Sequence, residues 1–573
     1  MKVLSINDGY TSGAALLVDG RIELMAQEER FNRIKNYGGA PEKTLEWIFH
    51  TSKVKPQEID YIALAWETEP FRDIKSFQHS KHKYYSLLAG FLPRWIIGND
   101  LVFKPVLFLS RKKRKKLGLL MPLLKKYHLE NKKIVCVNHH LAHGAGAYFA
   151  SGFKDKYPRS LVVSYDGSGD GLCSTVSVAE GNDIRTIFSQ NPYDSIAIMY
   201  TRVTEFLGMK PLEHEYKLMG LAPYSPDAIK KKAYEKFKHY IKLSDDGLSF
   251  INTSHSWGNS FIRRLERDMR GIRFDGVAAG LQQLFEELMF RYIISWSKKT
   301  GIKNVVAGGG SFMNVKLNML LAQSRQLNEY YVLPSCGDES LVMGAGLFVS
   351  ACHARDKITP LKDIYFGYQI KEPELLAALK KYKGQIAFKK SNNIEKEAAR
   401  LLAANFIVGR CKGRMEWGAR ALGNRTIMAN PVHTGIIKKI NKVVKQRDYW
   451  MPFAPSILFE DRNKYTVNPK QVDSPYMILA FESTDKAIKE IPAGLHPFDD
   501  TCRPQFVRQE FNPSYHKLIG YFKKLTGIGG IVNTSCNIHG YPIVCNAEDS
   551  IRMLIDSEID YMAIENYLCW RRK

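Results

Sequence analysis

Short apolar runs broken by Asp-Gly and Gly turns open the chain and predict three β-strands, over Lys2–Asp8, Gly13–Asp19 and Arg21–Gln27. The pattern returns further on. An apolar run from Leu161 ends in Asp166-Gly167, a second spans Cys173–Ala179, and a third spans Ile184–Ser189 after Glu180-Gly181-Asn182-Asp183. Asp8 and Asp166 fall in equivalent places, so the repeat predicts two related α/β halves. Apolar positions at three- and four-residue intervals predict a helix over Ala278–Lys299. Asn304–Ala307 then reads as a buried strand that opens into Gly308-Gly309-Gly310. A strand running into a glycine-rich turn before a helix is a geometry that cradles phosphates. Asp338 stands ahead of a helix predicted over Leu341–Ala354, and the charged, Pro-bearing stretch Arg355–Asp363 reads as a domain boundary.

At 573 residues the chain exceeds a single hydrophobic core, so at least two domains are expected. Its nine cysteines form no C-x-x-C pair, which argues against a zinc ribbon or a disulfide framework. The start, Met1-Lys2-Val3-Leu4-Ser5-Ile6-Asn7-Asp8, lacks a signal peptide's apolar core, and no apolar run reaches the ~18 residues of a membrane helix, so the expectation is a cytoplasmic protein. The net charge is +25, and its densest basic run is Arg111-Lys112-Lys113-Arg114-Lys115-Lys116, between the apolar stretches Tyr84–Leu109 and Leu117–Leu124. That arrangement suits peripheral contact with an anionic membrane face, and equally a solvated helical face. No nucleic-acid-binding motif accompanies it, so nucleic acid is not expected as a partner.

Candidate chemistry sits in three places. Gly413–Arg425 interleaves Arg414, Arg420 and Arg425 with glycines and has Glu416 as its one acidic residue. Guanidinium forks and close-approaching glycine backbone suit an anion. Lys445, Arg447 and Arg503 add cations further on, followed by Asn533-Thr534-Ser535-Cys536-Asn537. In the first half His139 and His143 are four residues apart, hence on one helical face, and Asp166 and Asp338 follow predicted strands. Imidazole and carboxylate oxygen together suit a divalent metal, provided the four converge.

These motifs, in this order, resemble the NodU/CmcH-type O-carbamoyltransferases, the family that includes tobramycin carbamoyltransferase. The resemblance covers nearly the whole chain. It also rests on Ala14–Gly20, Glu28-Glu29-Arg30-Phe31-x-Arg33-x-Lys35, His139–His143, Glu215–Tyr224, Gly308–Asn314, Pro452–Ser456 and Arg503-Pro504-Gln505. It implies an α/β fold: a duplicated, actin-like ATPase (Kae1-like) domain over 1–355, with an insertion at about 71–133, then an α+β YrdC-like domain over 366–573.

The resemblance further implies carbamoyl phosphate as donor, ATP with Mg2+, a carbamoyl adenylate intermediate and a small-molecule or glycolipid acceptor. Arg420, Lys445, Arg447 and Arg503 would be its catalytic cations. Arg414, Glu416, Asn424, Arg425, Asn533, Thr534, Ser535 and Asn537 would bind carbamoyl phosphate and ATP. In the first domain Lys217, Gly308, Gly309, Gly310 and Asn314 would hold nucleotide, and Lys35 would reach the reacting end. His139, His143, Asp166 and Asp338 match the family's metal ligands, with Fe2+ the usual ion. Two positions depart from the pattern. Tyr10 stands where many members have a His that serves as candidate base, which leaves Tyr10 itself or Asp8 for that task. Met451 stands where the family has an Arg, a loss on the order of 1–3 kcal/mol of phosphate binding. A tRNA threonylcarbamoyl-adenosine-forming enzyme and a non-catalytic nucleotide-binding scaffold are the alternatives; self-association of the chain is left open.

Overall fold

The computed structural model describes residues 1–73, 117–257, 259–354, 358–445, 448 and 450–572. The basic run Arg111–Lys116, most of the insertion that holds it, and Arg447 lie outside the described residues. Two compact units result. One comprises Met1–Leu24 and Asn36–Leu361; the other comprises Met25–Lys35 and Lys362–Lys573. Among the described residues no helix is long and apolar enough to cross a membrane.

The repeat predicted from apolar patterning is built as such. Strands β1 (Lys2–Asn7), β2 (Gly13–Val18), β3 (Arg21–Gln27), β4 (Tyr61–Leu64) and β5 (Lys133–Cys136) form a sheet in the order β3-β2-β1-β4-β5. The second half supplies β6 (Ser160–Gly169), β7 (Leu172–Glu180) and β8 (Asp183–Gln190). A two-stranded ribbon follows, β9 (Ile241–Leu243) with β10 (Phe250–Asn252), and then β11 (Asn304–Gly308) and β12 (Glu329–Val332). The second large sheet has the order β12-β11-β6-β7-β8. In each half an antiparallel hairpin joins a parallel edge: β1 pairs antiparallel with β2 and parallel with β4, as β6 does with β7 and β11. This shared topology makes the first unit a duplicated α/β fold of the actin-like class. Asp8 and Asp166 both follow the last regular pair of their ladder, Asn7 with Gly13 and Tyr165 with Ser174.

Two helices join the halves. His139–Ser151 is capped by the Asn138 side chain, which accepts from the N–H of His140 and Leu141, and packs on β6, β7 and β11. Leu341–Ala354 packs on β1, β2 and β4, and also against His139–Ser151. Glycine makes that last contact close. A Cβ on Gly344 would stand 1.7 Å from the Ala142 carbonyl oxygen, and one on Gly146 would stand 3.3 Å from the Gly344 Cα.

The second unit is α+β. It adds β13 (Ile386–Lys390), β14 (Val408–Cys411), β15 (Arg425–Ala429), β16 (Ala454–Leu458), a small ribbon of β17 (Thr466–Val467) with β18 (Glu482–Ser483), then β19 (Gln505–Val507), β20 (Gly530–Ser535), β21 (Tyr561–Ile564) and β22 (Tyr567–Arg571). Eight of these form one sheet in the order β13-β22-β21-β14-β15-β20-β16-β19. Register decides what meets at its ends. Thr426 lies opposite Ser535, Ala454 opposite Asn533, and Gln505 opposite Ser456. The starts of β15, β16 and β19 and the finish of β20 therefore share one end of the sheet. The four motifs of the sequence's second half enter or leave the strands there.

Candidate active site

In the first unit the predicted metal residues converge. His143 Nε2 lies 3.2 Å from Asp166 Oδ2 and 3.6 Å from Asp338 Oδ1; His139 Nε2 lies 3.5 and 3.8 Å from the same two oxygens. One ligand atom from each residue falls within 4.8 Å of the others. Both ring nitrogens of each histidine, and Asp166 Oδ2, are buried yet make no hydrogen bond. Buried polar atoms are nearly always paired. The Nε2 atoms and Asp166 Oδ2 lie together with Asp338 Oδ1, and orphaned atoms so gathered fit a divalent cation of the iron, zinc or manganese type.

The electrostatics agree. Burial opposes ionisation of Asp166, but His139 and His143 at its oxygens outweigh that and hold the carboxyl well below the usual range. Burial likewise lowers His143, yet Asp166 and Asp338 lift it to about 9. Asp338 is raised, first by burial, against which His143 pulls down, and also by the charge of Asp166. The cluster carries negative charge that a protonated imidazole or a bound cation offsets.

Neighbouring groups fix this constellation. The Trp66 indole lies on the His139 ring, with centroids 4.3 Å apart, and on Gly169 any Cβ would strike that ring at 2.1 Å. Asp170 accepts from the backbone N–H of His139 (2.8 Å), Glu67 (3.1 Å) and Thr68 (3.0 Å). His140, quoted in the same motif, is structural. Its ring nitrogens meet Ser164 Oγ at 2.8 Å and the Leu172 carbonyl at 3.0 Å, and burial keeps it neutral. The glycines expected to hold nucleotide let the turn approach the ligand-bearing segments. A Cβ on Gly308 would meet the His143 carbonyl at 2.6 Å, one on Gly309 (φ +100°) the Tyr165 carbonyl at 2.4 Å, and one on Gly310 the Asp166 carboxylate at 3.1 Å.

Of the other expected residues in this unit, Tyr10 is buried, and its hydroxyl accepts from Asn36 Nδ2 at 2.9 Å. Burial, with Glu213, Glu215 and Asp338 adding negative charge, raises its pKa far above a phenol's ordinary value. The hydroxyl is therefore held protonated and can donate a hydrogen bond. Asp8 is buried and ion-paired with Arg72 at 3.1 Å. Lys217 is buried in the helix Glu215–Leu221, and Asn314 exchanges two 3.0 Å hydrogen bonds with Gln282. Lys35, expected to serve the first domain, is half-buried in the second unit. Trp66 and Asp170 were not singled out from sequence; only the Asp170-Gly171 turn carried any signal.

In the second unit Lys445 is buried, and its ammonium donates to the Ser535 carbonyl (2.7 Å), Ser535 Oγ (3.1 Å), the Asn537 carbonyl (2.9 Å) and Asn537 Oδ1 (2.7 Å). Asn533 Nδ2 donates to the Ala421 carbonyl and to Ser456 Oγ, both at 2.9 Å, and Gln505 Nε2 donates to the Leu422 carbonyl at 2.9 Å. The segments bearing Arg420, Lys445 and Arg503 are thus tied to the same sheet end; Arg420 and Arg503 are half-buried. Strand alternation places Thr534 on the face opposite Asn533 and Ser535.

Several residues expected to touch phosphate hold the protein instead. Arg425 is fully buried and gives its donors to the carbonyls of Gly413, Asn424, Tyr368 and Cys545. Glu416 Oε1 accepts the backbone N–H of Leu422, Asn424 and Arg425. Asn424 links the Arg414 carbonyl, Arg410 and Asn512. Arg414 donates to the Phe366 carbonyl at 2.7 Å. The side-chain donors of Arg425 are all taken by carbonyls, and Glu416 Oε1 is taken by backbone N–H groups while its Oε2 is buried without a partner, so these residues shape the loop. From the Glu28–Lys35 motif, buried Arg30 donates to the Gly418 carbonyl at 2.8 Å and buttresses that same loop. Met451 is buried, and its carbonyl accepts from Asn441 Nδ2 at 3.1 Å, so the position offers no guanidinium.

Residues 2–347 match the family model described as carbamoyltransferase N-terminus, and residues 399–571 match the one described as carbamoyltransferase C-terminus. Among relatives, the chain is 31% identical to the uncharacterized protein MJ1051 of Methanocaldococcus jannaschii over 99% of either chain. It is 29% identical to the nodulation protein NolNO of Sinorhizobium fredii over 98% of this chain and 79% of that one. It is 31% identical to the nodulation protein NolO of Bradyrhizobium diazoefficiens over 76% of this chain and 79% of that one. Full-length HypF in its phosphate- and nucleotide-bound form matches with a TM-score of 0.35 and 13% identity, over 61% of this chain and 46% of that one, too slight a likeness to argue from.

Proposed function

Since the chain belongs to the carbamoyltransferase family, we propose that it moves a carbamoyl group from carbamoyl phosphate, activated with ATP, onto a hydroxyl of a sugar-containing acceptor. Carbamoyl phosphate is hydrolysed to phosphate and carbamate. A carbamate oxygen then displaces pyrophosphate from the α-phosphorus of ATP, giving carbamoyl adenylate. The acceptor hydroxyl attacks the carbamoyl carbon, the bond from that carbon to the adenylate oxygen breaks, AMP departs, and the hydroxyl proton passes to a base.

The observation that carries this reading is the gathering of the Gly413–Arg425, Pro452–Ser456, Arg503–Gln505 and Asn533–Asn537 motifs at one sheet end, with Lys445 bonded into it. Two polyanionic reactants there call for cations. Arg420, Arg503 and Lys445 supply them, and Arg447, outside the described residues, is proposed as a fourth. Ser535 and Asn537 hold the ammonium of Lys445 in place. In the first unit His139, His143, Asp166 and Asp338 would hold a divalent ion, proposed as Fe2+. When bound, such an ion supplies Lewis-acid stabilisation of the phosphate that leaves with AMP. Lys217, the Gly308–Gly310 turn and Asn314 bind the adenylate. Tyr10, kept protonated, donates a hydrogen bond to it, and Asp8 is the carboxylate nearest in sequence to accept the hydroxyl proton. The acceptor is a glycolipid, a polysaccharide precursor or a natural product; the +25 charge and the Arg111–Lys116 run favour the first, on a cytoplasmic enzyme lying against the anionic inner membrane face.

The test is pyrophosphate exchange into ATP. Exchange that depends on carbamoyl phosphate supports the reading. Pyrophosphate release driven instead by threonine and bicarbonate would point to threonylcarbamoyl adenylate, and no exchange at all to a nucleotide-binding scaffold.

A further inference from the structure

Asn7 is fully buried at the end of β1, and the chemistry above gives it no task. Its Nδ2 donates to the carbonyls of Tyr10 (3.3 Å) and Asp338 (3.2 Å), and its Oδ1 accepts from the Gly9 N–H (3.0 Å) and from Trp66 Nε1 (2.9 Å). A primary amide has two donors and two acceptor lone pairs, so Asn7 is saturated. The partners also set which way it faces. Both neighbours of Oδ1 can only donate, and both neighbours of Nδ2 can only accept.

Two of these partners lead straight to the metal centre. Asp338 brings a ligand carboxylate, and the Asn7 bond fixes its backbone. Trp66 lies on the His139 ring, which Gly169 confines from its own direction, so the position of the indole sets the position of the imidazole. Asn7 belongs to the sheet of the first half, while Asp338 precedes the helix that packs on that sheet. One side chain therefore keeps two of the four ligands in step with a strand far from either in sequence.

We propose that Asn7 is a positioning residue for the metal centre, acting through the Asp338 backbone and through Trp66 on His139. This rests on the metal reading given above. Groups that orient ligands without touching the ion are worth about 10–100-fold in metal affinity.

Anaerobic titration of the full chain with Co2+, followed by its visible ligand-field absorption, tests the assignment. In Asn7→Asp an oxygen faces the two carbonyls. Its added negative charge alone would strengthen cation binding, so weaker binding has to come from geometry. The expected result, with far-UV circular dichroism unchanged, is Co2+ affinity lower by about tenfold or more and shifted visible bands. Trp66→Phe keeps a ring over His139 but deletes the donor to Asn7, and it should lose about threefold. Native affinity and spectrum in a folded Asn7→Asp would overturn the assignment. Should that variant not fold, Trp66→Phe decides, and unchanged binding there overturns it as well. Native protein that takes up no Co2+ removes the metal reading and this inference together, whereas native binding with indifferent variants removes only the role of Asn7.

Discussion

Gly344 sits on the carbonyl of Ala142 so closely that a single added carbon would stand 1.7 Å from its oxygen. The two helices that meet there carry His139 and His143 on one side and follow Asp338 on the other. Gly344→Ala should push the helices apart and spread the ligands. The expected outcome is a folded protein with a lower melting temperature and Co2+ affinity reduced by about tenfold or more. A calorimetric scan and a metal titration check it, and native affinity would mean that the site does not need this contact.

Removing a ligand should separate the two half-reactions. His143→Ala or Asp166→Asn is expected to abolish stoichiometric metal uptake, measured by mass spectrometry of bound metal, and to lower acceptor carbamoylation by more than about a hundredfold. Carbamoyl-phosphate-dependent exchange in the second unit should persist. Loss of both reactions together in a folded variant would contradict the division of labour proposed here.

Arg425 and Arg420 lie five positions apart in one motif and should fail in different ways. Arg425→Met leaves carbonyls of Gly413, Asn424, Tyr368 and Cys545 without their donor, a destabilisation of about 3 kcal/mol or more. Arg420→Ala, at a half-buried position, should leave the melting temperature within about 2 °C of native while reducing exchange by about a hundredfold. Denaturant midpoints and exchange rates on the same preparations test both at once.

Glu215 gives stability a pH signature. Burial raises its carboxyl from an ordinary 4.5 to about 7, against hydrogen bonds that lower it. The unfolded chain releases this proton near 4.5 and the folded chain near 7, so the stabilising effect is complete below the first value and is lost as pH rises through the second. The whole effect is on the order of 3 kcal/mol. Glu215→Gln mimics the protonated form. Its melting temperature relative to native protein should rise between about pH 4.5 and about pH 8; a difference indifferent to pH would rule the effect out.

Deleting Arg111–Lys116 should weaken sedimentation with vesicles containing anionic phospholipid and spare exchange activity. Undiminished vesicle binding would remove the membrane-surface reading of that run.

Much of this molecule could be read from its residues, and the failures have a common cause. Strands β1, β2, β3, β7 and β8 were legible within a residue because alternation and Asp-Gly turns are local signals. The duplication was legible for the same reason. Convergence of His139, His143, Asp166 and Asp338 was not, because it depends on a helix contact made through Gly344, far along the chain from His143. That Arg425 and Glu416 are buried and bonded to backbone was not legible, because sequence shows charge but not burial. Met25–Lys35 joins the second unit although it continues directly from the first, and nothing in its composition marks the crossing.

Asn533 and Ser535 share a face of β20 because exactly one residue separates them. Loss or gain of one residue in that strand before Asn533 would turn both to the other face together and carry the Ser535 anchor of Lys445 with them. Length changes should therefore be tolerated in loops at the opposite margin of this sheet and rejected here, giving related chains a fixed frame at one margin and a variable one at the other.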